Sequence, residues 1–216
     1  MSTSSRKSGE TLENRTYHHG NLREALVDAG VALARAGGPS AVVLRAVSRE
    51  AGVSHNAAYR HFADHQDLLA AVAARCMEQL GLLMVRRTAE VAEDDPVLRA
   101  WARLAAIGRA YVDFALTEHG WFRTAFSGAT AHGAKHALTD PDAGRTDPYT
   151  LLAARLDELV TVGELPPERR PGAEYAAWSA VHGLADLLVD GPLRDLPAEE
   201  VAFAVETVLA AVARGL

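Results

Sequence analysis

The 216-residue sequence predicts an all-α protein, with a small N-terminal helical domain and a larger C-terminal helical bundle, about nine helices in all. Three observations predict it. Apolar residues recur at spacings of three and four from Leu22 onward. Glycine, proline and Asp-Pro pairs punctuate those stretches where helices should start and stop. No segment shows the two-residue alternation of a half-buried strand, and no internal repeat is present.

The elements follow in order. Residues 1–16 are polar and rich in Ser and Thr, and such a composition buries too little to order itself. They read as a disordered arm. A first helix is expected from about Asn21 to Ala36, with Leu22, Leu26, Ala29 and Leu33 on one face and Gly37-Gly38-Pro39 ending it. A short helix over about Val43–Ala51 stops at Gly52, and Ser54 caps a third reaching about Phe62. Asp64 caps a long connecting helix to about Arg87, carrying Leu68, Leu69, Val72, Cys76, Leu80 and Leu83. Asp95-Pro96 opens the next helix, to about Glu118. Gly120 interrupts it before a short aromatic helix from Trp121 to about Phe126. Residues 127–147 read as a long loop. Helices over about Pro148–Val162, Ala173–Val189 and Pro197–Arg214 complete the chain. The expected organisation is an arm over 1–16, a head over 17–63, a connector over 64–87 and a C-terminal domain over 88–216.

Composition and charge narrow the function. Hydrophobic residues make up 49% and charged residues 23%, as in ordinary globular domains. No apolar run was expected to approach the ~20 residues that span a bilayer, and the N-terminus lacks an apolar signal core. The expectation is a cytoplasmic protein without a membrane partner. A single Cys76 in apolar surroundings excludes an internal disulfide and a cysteine-built metal cluster. Net charge is −6, but residues 1–62 carry eight Lys/Arg against five acids, so that N-terminal stretch is +3 and the remainder −9. A cationic head on an acidic body suits a protein that touches phosphate at one end.

The informative stretch is VVLRAVSREAGVSHNAAYRHF, Val42 to Phe62. Two short helices joined by a glycine-led turn describe a helix-turn-helix. Ala51 lets the helices approach and Gly52 takes a backbone that bulkier residues resist. Val53 plugs the angle, and Ser54 satisfies free N–H groups at the start of the second helix. That helix then offers its leading side chains to a DNA major groove.

These residues resemble the DNA-binding domain of the TetR family over Tyr17 to about Met77: Ala51-Gly52-Val53-Ser54, then Tyr59-Arg60-His61-Phe62, then Asp67-Leu68-Leu69. Trp178-Ser179-Ala180-Val181-His182-Gly183 and the leading Tyr17-His18-His19-Gly20 are similar to one subclass of that family. The resemblance implies that Ser54, His55, Asn56 and Ala57 face the groove, that Tyr59 and His61 reach backbone phosphates, and that Arg60 reaches a base or a phosphate. It places Arg45 beside the flanking duplex and Phe62 in the core. It further implies a regulator of transcription without enzymatic activity or cofactor, whose partners are double-stranded operator DNA, a small-molecule effector and a second copy of the chain. The sequence departs from the family pattern at Asn56, where a small residue is usual, and at Val43 and Leu44, where hydroxyl residues are usual. It also departs at His65, where lysine usually contacts phosphate.

The C-terminal readings rest on side-chain chemistry. Trp101, Leu104, Tyr111, Phe122, Phe126, Arg155, Trp178 and His182 are candidates for an effector pocket, against a bland reading as core and, for Arg155, as a solvated face. Gly108 in mid-helix suits a cavity or a tight crossing. Trp178, Val181, Ala185, Leu188 and Val201, Val205, Val208, Val212 form two apolar seams expected to pair between protomers, and two heads about one DNA turn (~34 Å) apart would read a palindrome. His18-His19 and His132 with His136 are weak metal candidates. The competing classes are a DNA-binding dimer without ligand control and an all-helical enzyme hiding its site among His119, His132, His182, Asp113 and Glu118. No phosphate loop, nucleophile elbow, zinc-protease or dinucleotide motif supports the latter.

Overall fold

The computed structural model describes residues 18–128 and 147–216, with side chains from residue 22. The expected arm over residues 1–16, the side chains of His18 and His19, and His132 and His136 lie outside the described residues. Within them the chain forms nine α-helices and no strand. These are α1 (His18–Gly37), α2 (Leu44–Glu50), α3 (His55–Ala58), α4 (His65–Ala89), α5 (Pro96–Thr117), α6 (His119–Ala125), α7 (Pro148–Thr161), α8 (Ala173–Val189) and α9 (Ala198–Gly215).

The expected caps are made. Asp64 accepts from the Asp67 amide at 2.9 Å, Asp95 from the Val97 and Leu98 amides, both at 2.9 Å, and Asp147 from the Thr150 amide at 2.8 Å. Val43 stands at the N-cap of α2 and makes no side-chain bond there. Two boundaries differ from the sequence reading. Helix α3 ends at Ala58, and the chain tightens through Arg60 N–H to Ala57 O and His61 N–H to Ala58 O, at 3.3 and 2.9 Å. Gly120 does not break a helix but sits in the first turn of α6.

Three cores hold the elements. The head core gathers Leu26, Val42, Val47, Ala58 and Phe62 around Leu68, Val72 and Cys76 from the first half of α4. Burial pushes the Cys76 thiol up to about 12, so it acts as an inert packing group. The second half of α4 supplies Leu80 and Met84 to a body core shared with α5, α6, α8 and α9. A third core joins Ala100 of α5 to Leu156 and Leu159 of α7 and Ala177 of α8. Contrary to the sequence expectation, α4 is long and apolar enough by composition to cross a membrane. Its apolar residues serve instead as the shared wall of two cores.

The paired valine seams are also used differently from the expectation. Val181, Ala185, Leu188 and Val205 are buried within one chain, where α8 and α9 close over α5. Val201 and Val208 pack against the same core, and Val212 and Trp178 against the third. The first four are therefore covered within the chain, while Val201, Val208, Val212 and Trp178 stay partly open. The surface left open is the opposite stripe: Tyr175, Ser179 and Leu187 on α8, and Phe203, Thr207 and Ala211 on α9.

Two glycines set how closely the helices approach. A Cβ at Gly30 would lie 2.5 Å from Val72 Cγ2, so α1 and α4 cross in near contact. A Cβ at Gly120 would lie 2.1 Å from the Ala34 carbonyl oxygen and 2.4 Å from that of Arg35. Backbone atoms cannot rotate aside as a side chain can. Gly120→Ala should therefore lower the unfolding free energy by about 1–3 kcal/mol, seen as an earlier urea midpoint with unchanged slope.

Candidate nucleic-acid interface and effector cavity

The head presents one polar end. Gly52 has φ 68°, with nothing within 4 Å of where a Cβ would stand, so it is kept for its backbone and not for space. Val53 N–H donates to Ser48 O at 2.9 Å and ties the turn back to α2, while Ser54 accepts from the Ala57 amide at 3.2 Å. Against that frame Arg45, Ser54, His55, Asn56, Tyr59, Arg60 and His65 are exposed, and Ala57 and His61 are half-buried. Tyr59 keeps 52% of its surface open and meets the His55 ring edge-on at 4.8 Å, which stiffens the start of α3. Leu44 is buried in the head core, whereas Val43 is exposed.

The charges divide between the two ends. Arg45, Arg49 and Arg60 have no carboxylate partner among the described residues. In the body Arg109 forms a two-pronged pair with Glu206, both bonds 2.7 Å, and Arg123 pairs with Asp190. Arg170 bridges Asp157 and Glu174, each at 2.6 Å. Unpaired guanidinium groups at the helix-turn-helix are free to meet phosphate.

A cleft lies in the body between α5, α7, α8 and α9. Of the residues the sequence nominated, Leu104, Tyr111 and Trp178 line it. Ile107, Tyr149, Leu152 and Met84 also line it and were not nominated. Tyr149 sits at the second position of α7, just after residues 129–146, where the expected loop lies outside the described residues. Gly108 has both roles expected of it. It lines the cleft, and a Cβ there would lie 2.4 Å from Leu209 Cδ2, so α9 crosses α5 over it. The cleft is narrow, about 50 Å³ being open to the centre of a water-sized sphere.

The other nominated residues lie elsewhere. Trp101 lines a neighbouring outer cleft of about 250 Å³ and donates its indole N–H to Glu164 Oε2 at 3.0 Å. Arg155 is held by Glu158 at 2.8 Å, which also takes Arg103 at 2.8 Å, and it does not line the cleft. Phe122, Phe126 and His182 form an aromatic cluster behind Tyr111, with His182 4.8 Å from the Phe126 ring. Tyr111 Oη and His182 Nδ1 are 2.7 Å apart, and Trp178 donates its indole N–H to Tyr111 Oη at 3.3 Å. Among the described residues no three His, Cys, Asp or Glu side chains converge as metal ligands.

Helix α6 connects this cluster to the head. Phe122 and Phe126 face the His182 ring, and Trp121 donates its indole N–H to Val31 O of α1 at 2.8 Å. Arg35 at the end of α1 lies 5.0 Å over the Trp121 ring and grips Glu118 with bonds of 2.7 and 2.6 Å.

Two family descriptions match the chain: "Bacterial regulatory proteins, tetR family" over residues 26–72, and "Tetracyclin repressor-like, C-terminal domain" over residues 104–212. The chain belongs to the TetR family. It is accordingly a DNA-binding transcriptional regulator and not an enzyme. No protein of curated function matches it. Among solved structures, a protein from Rhodococcus sp. RHA1, described as of unknown function, is 29% identical. That match covers 93% of this chain and 97% of that one, with a TM-score of 0.67. RolR in complex with resorcinol is 18% identical over 94% and 90% of the two chains, TM-score 0.66. The flavonoid-responsive regulator FrrA is 22% identical over 91% and 97%, TM-score 0.55. At the identities of the last two the likeness is one of fold.

Burial holds His182 below the usual histidine range, opposed only by the charge of Asp186. The unfolded chain therefore takes up this proton first as pH falls through about 6.5, and the fold loses stability over that window. Asp190 and Glu206, held low by Arg123 and Arg109, lose their contribution only in the carboxylate range. Urea unfolding between pH 7.5 and 5 should show wild-type stability declining below about pH 6.5. In His182→Gln the decline should be shallower, whereas parallel curves would remove His182 from the account.

Proposed function

We propose that this TetR-family protein is a cytoplasmic homodimeric repressor that holds a palindromic operator through two heads and leaves it when a small molecule enters the cleft between α5, α7, α8 and α9. The observation that carries this reading is the double membership of α6. The same seven-residue helix hydrogen-bonds α1 through Trp121 and packs Phe122 and Phe126 into the cluster behind Tyr111. A ligand that shifts Tyr111 must disturb α6, and α6 bears on the head. By linkage, whatever weakens DNA binding through that joint is itself bound less well by the DNA-bound form. RolR with resorcinol and the flavonoid-responsive FrrA support the reading, as proteins of the same fold described with small molecules.

In the DNA reading Tyr59 and His61 contact phosphates, Arg45 and Arg60 the flanking backbone or a base edge, and His55 and Asn56 the bases. Ser54 holds the helix start and Ala57 permits close approach to the groove. His65 replaces a family lysine as a neutral or protonated donor. Arrest at the operator is favoured over activation because nothing in the chain suggests an element for contacting polymerase. The test is selection of duplexes from a random pool, repeated with cell-extract metabolites. Tyr59→Ala with Arg60→Ala should lower affinity for the selected duplex by about 100-fold or more, from the loss of two phosphate or base contacts. Binding that survives both substitutions contradicts the interface.

The homodimer is assigned to the exposed stripe. Phe203 is 75% exposed and Leu187 42% exposed, and the small residues Ser179 and Gly183 share the helix face of Leu187 at four-residue spacing. A Cβ at Gly183 meets nothing within 4 Å in the single chain. Gly183→Ala would therefore stabilise an isolated helix by about 1 kcal/mol, but would prop two protomers apart. Sedimentation should give a dimer at micromolar concentration, weakened by Gly183→Ala and dissociated by Phe203→Glu. A dimer indifferent to both lies on another face.

A further inference from the structure

The chemistry of the cleft defines what it accepts, and this step rests on the effector reading above. Among the described residues no Asp, Glu, Lys, Arg or His lines it. Near it Arg109 is paired with Glu206, and Arg103 and Arg155 share Glu158. An ion entering the cleft would lose its water and find no counter-charge among the described lining residues. Its walls are otherwise aliphatic and aromatic, with Trp178 and Tyr149 tilted at 60° and 5.9 Å apart, so a flat ring finds faces to lie against.

Two of the lining residues meet through their polar groups. Trp178 Nε1–H donates to Tyr111 Oη across 3.3 Å, a long bond that a better-placed acceptor can take over. The Tyr111 hydroxyl is coupled to His182 Nδ1 at 2.7 Å. If the tyrosine donates to the histidine, its oxygen keeps a lone pair for an incoming O–H. If the histidine donates, the tyrosine O–H is free for an incoming oxygen. A hydroxyl group satisfies both arrangements because it donates and accepts, whereas a carbonyl satisfies only the second.

We infer that the cleft is a binding site for an uncharged aromatic molecule bearing a hydroxyl group, the ring lying by Trp178 and Tyr149 and the hydroxyl joining Tyr111. Phenol is the minimal member of this class. A benzene-sized ring fills a cavity of about 150 Å³, so entry requires movement of the flexible walls. Met84 is unbranched, and Leu209, which also borders the outer cleft, can swing away over Gly108.

The test is calorimetric titration of the full-length protein, without DNA, with phenol, toluene and benzoate, repeated on Tyr111→Phe and Trp178→Phe. Phenol is expected to bind wild type about tenfold more tightly than toluene, the worth of one hydrogen bond, and benzoate not at all. Tyr111→Phe should erase the phenol preference while keeping toluene binding, which also shows that the variant retains its cleft. Trp178→Phe should reduce the preference less. The inference is overturned if benzoate binds as well as phenol, if Tyr111→Phe leaves the phenol-to-toluene ratio unchanged, or if neither phenol nor toluene binds at millimolar concentration. Because DNA is absent, phenol binding that fails to release a selected duplex would contradict the effector reading alone. Release of DNA by a charged compound, with phenol inert, would contradict this inference alone.

Discussion

The docking of α6 onto the end of α1 is the contact on which the rest of the molecule depends. It is possible only because Gly120 has no side chain, which lets the helix start lie against the Ala34 and Arg35 carbonyls. Trp121 then reaches Val31 O, and Arg35 closes over it onto Glu118. Together with α4, whose two halves serve different cores, this makes the head and the body share walls instead of being joined by a tether. The proposed release by a ligand needs such a joint, since a flexible link could not carry a displacement of the body to the recognition helix.

Electrostatics divides the labour. Body arginines such as Arg109, Arg123 and Arg170 are matched with carboxylates, while among the described residues those of the helix-turn-helix stand unmatched. The acidic body cannot itself attract duplex DNA, so attraction is confined to the end that can read sequence. Among the described residues the lining of the body cleft carries no charge, and its side-chain polar groups are the hydroxyls of Tyr111 and Tyr149 and the indole N–H of Trp178.

Much of this was legible in the chain. The helices announced themselves through caps and breaks that act locally: Asp64, Asp95 and Asp147 each bond the next turn of their own helix. The turn at Gly52 is likewise local, and so the exposed residues of α3 could be named in advance. What failed was long-range. Val181, Ala185, Leu188 and Val205 form a clean stripe, but a stripe does not say which surface covers it, and here it is α5 of the same chain. Gly120 looked like a break because nothing in the sequence shows that α1 passes within touching distance. Arg155 looked available because Glu158, one turn away, could equally have faced solvent. Tyr149 escaped notice because its role depends on α8 lying opposite.

The central claim is that head and body form one cooperative unit through α4 and α6. Native-state hydrogen exchange measures this directly by comparing the most protected amides of α1 in the head with those of α5 in the body. The shared walls require the two sets to exchange through the same global opening, with matching free energies and matching sensitivity to denaturant. Head amides that open at a free energy lower by more than about 2 kcal/mol, through a smaller unfolding event of their own, would show that the joint does not hold the two together.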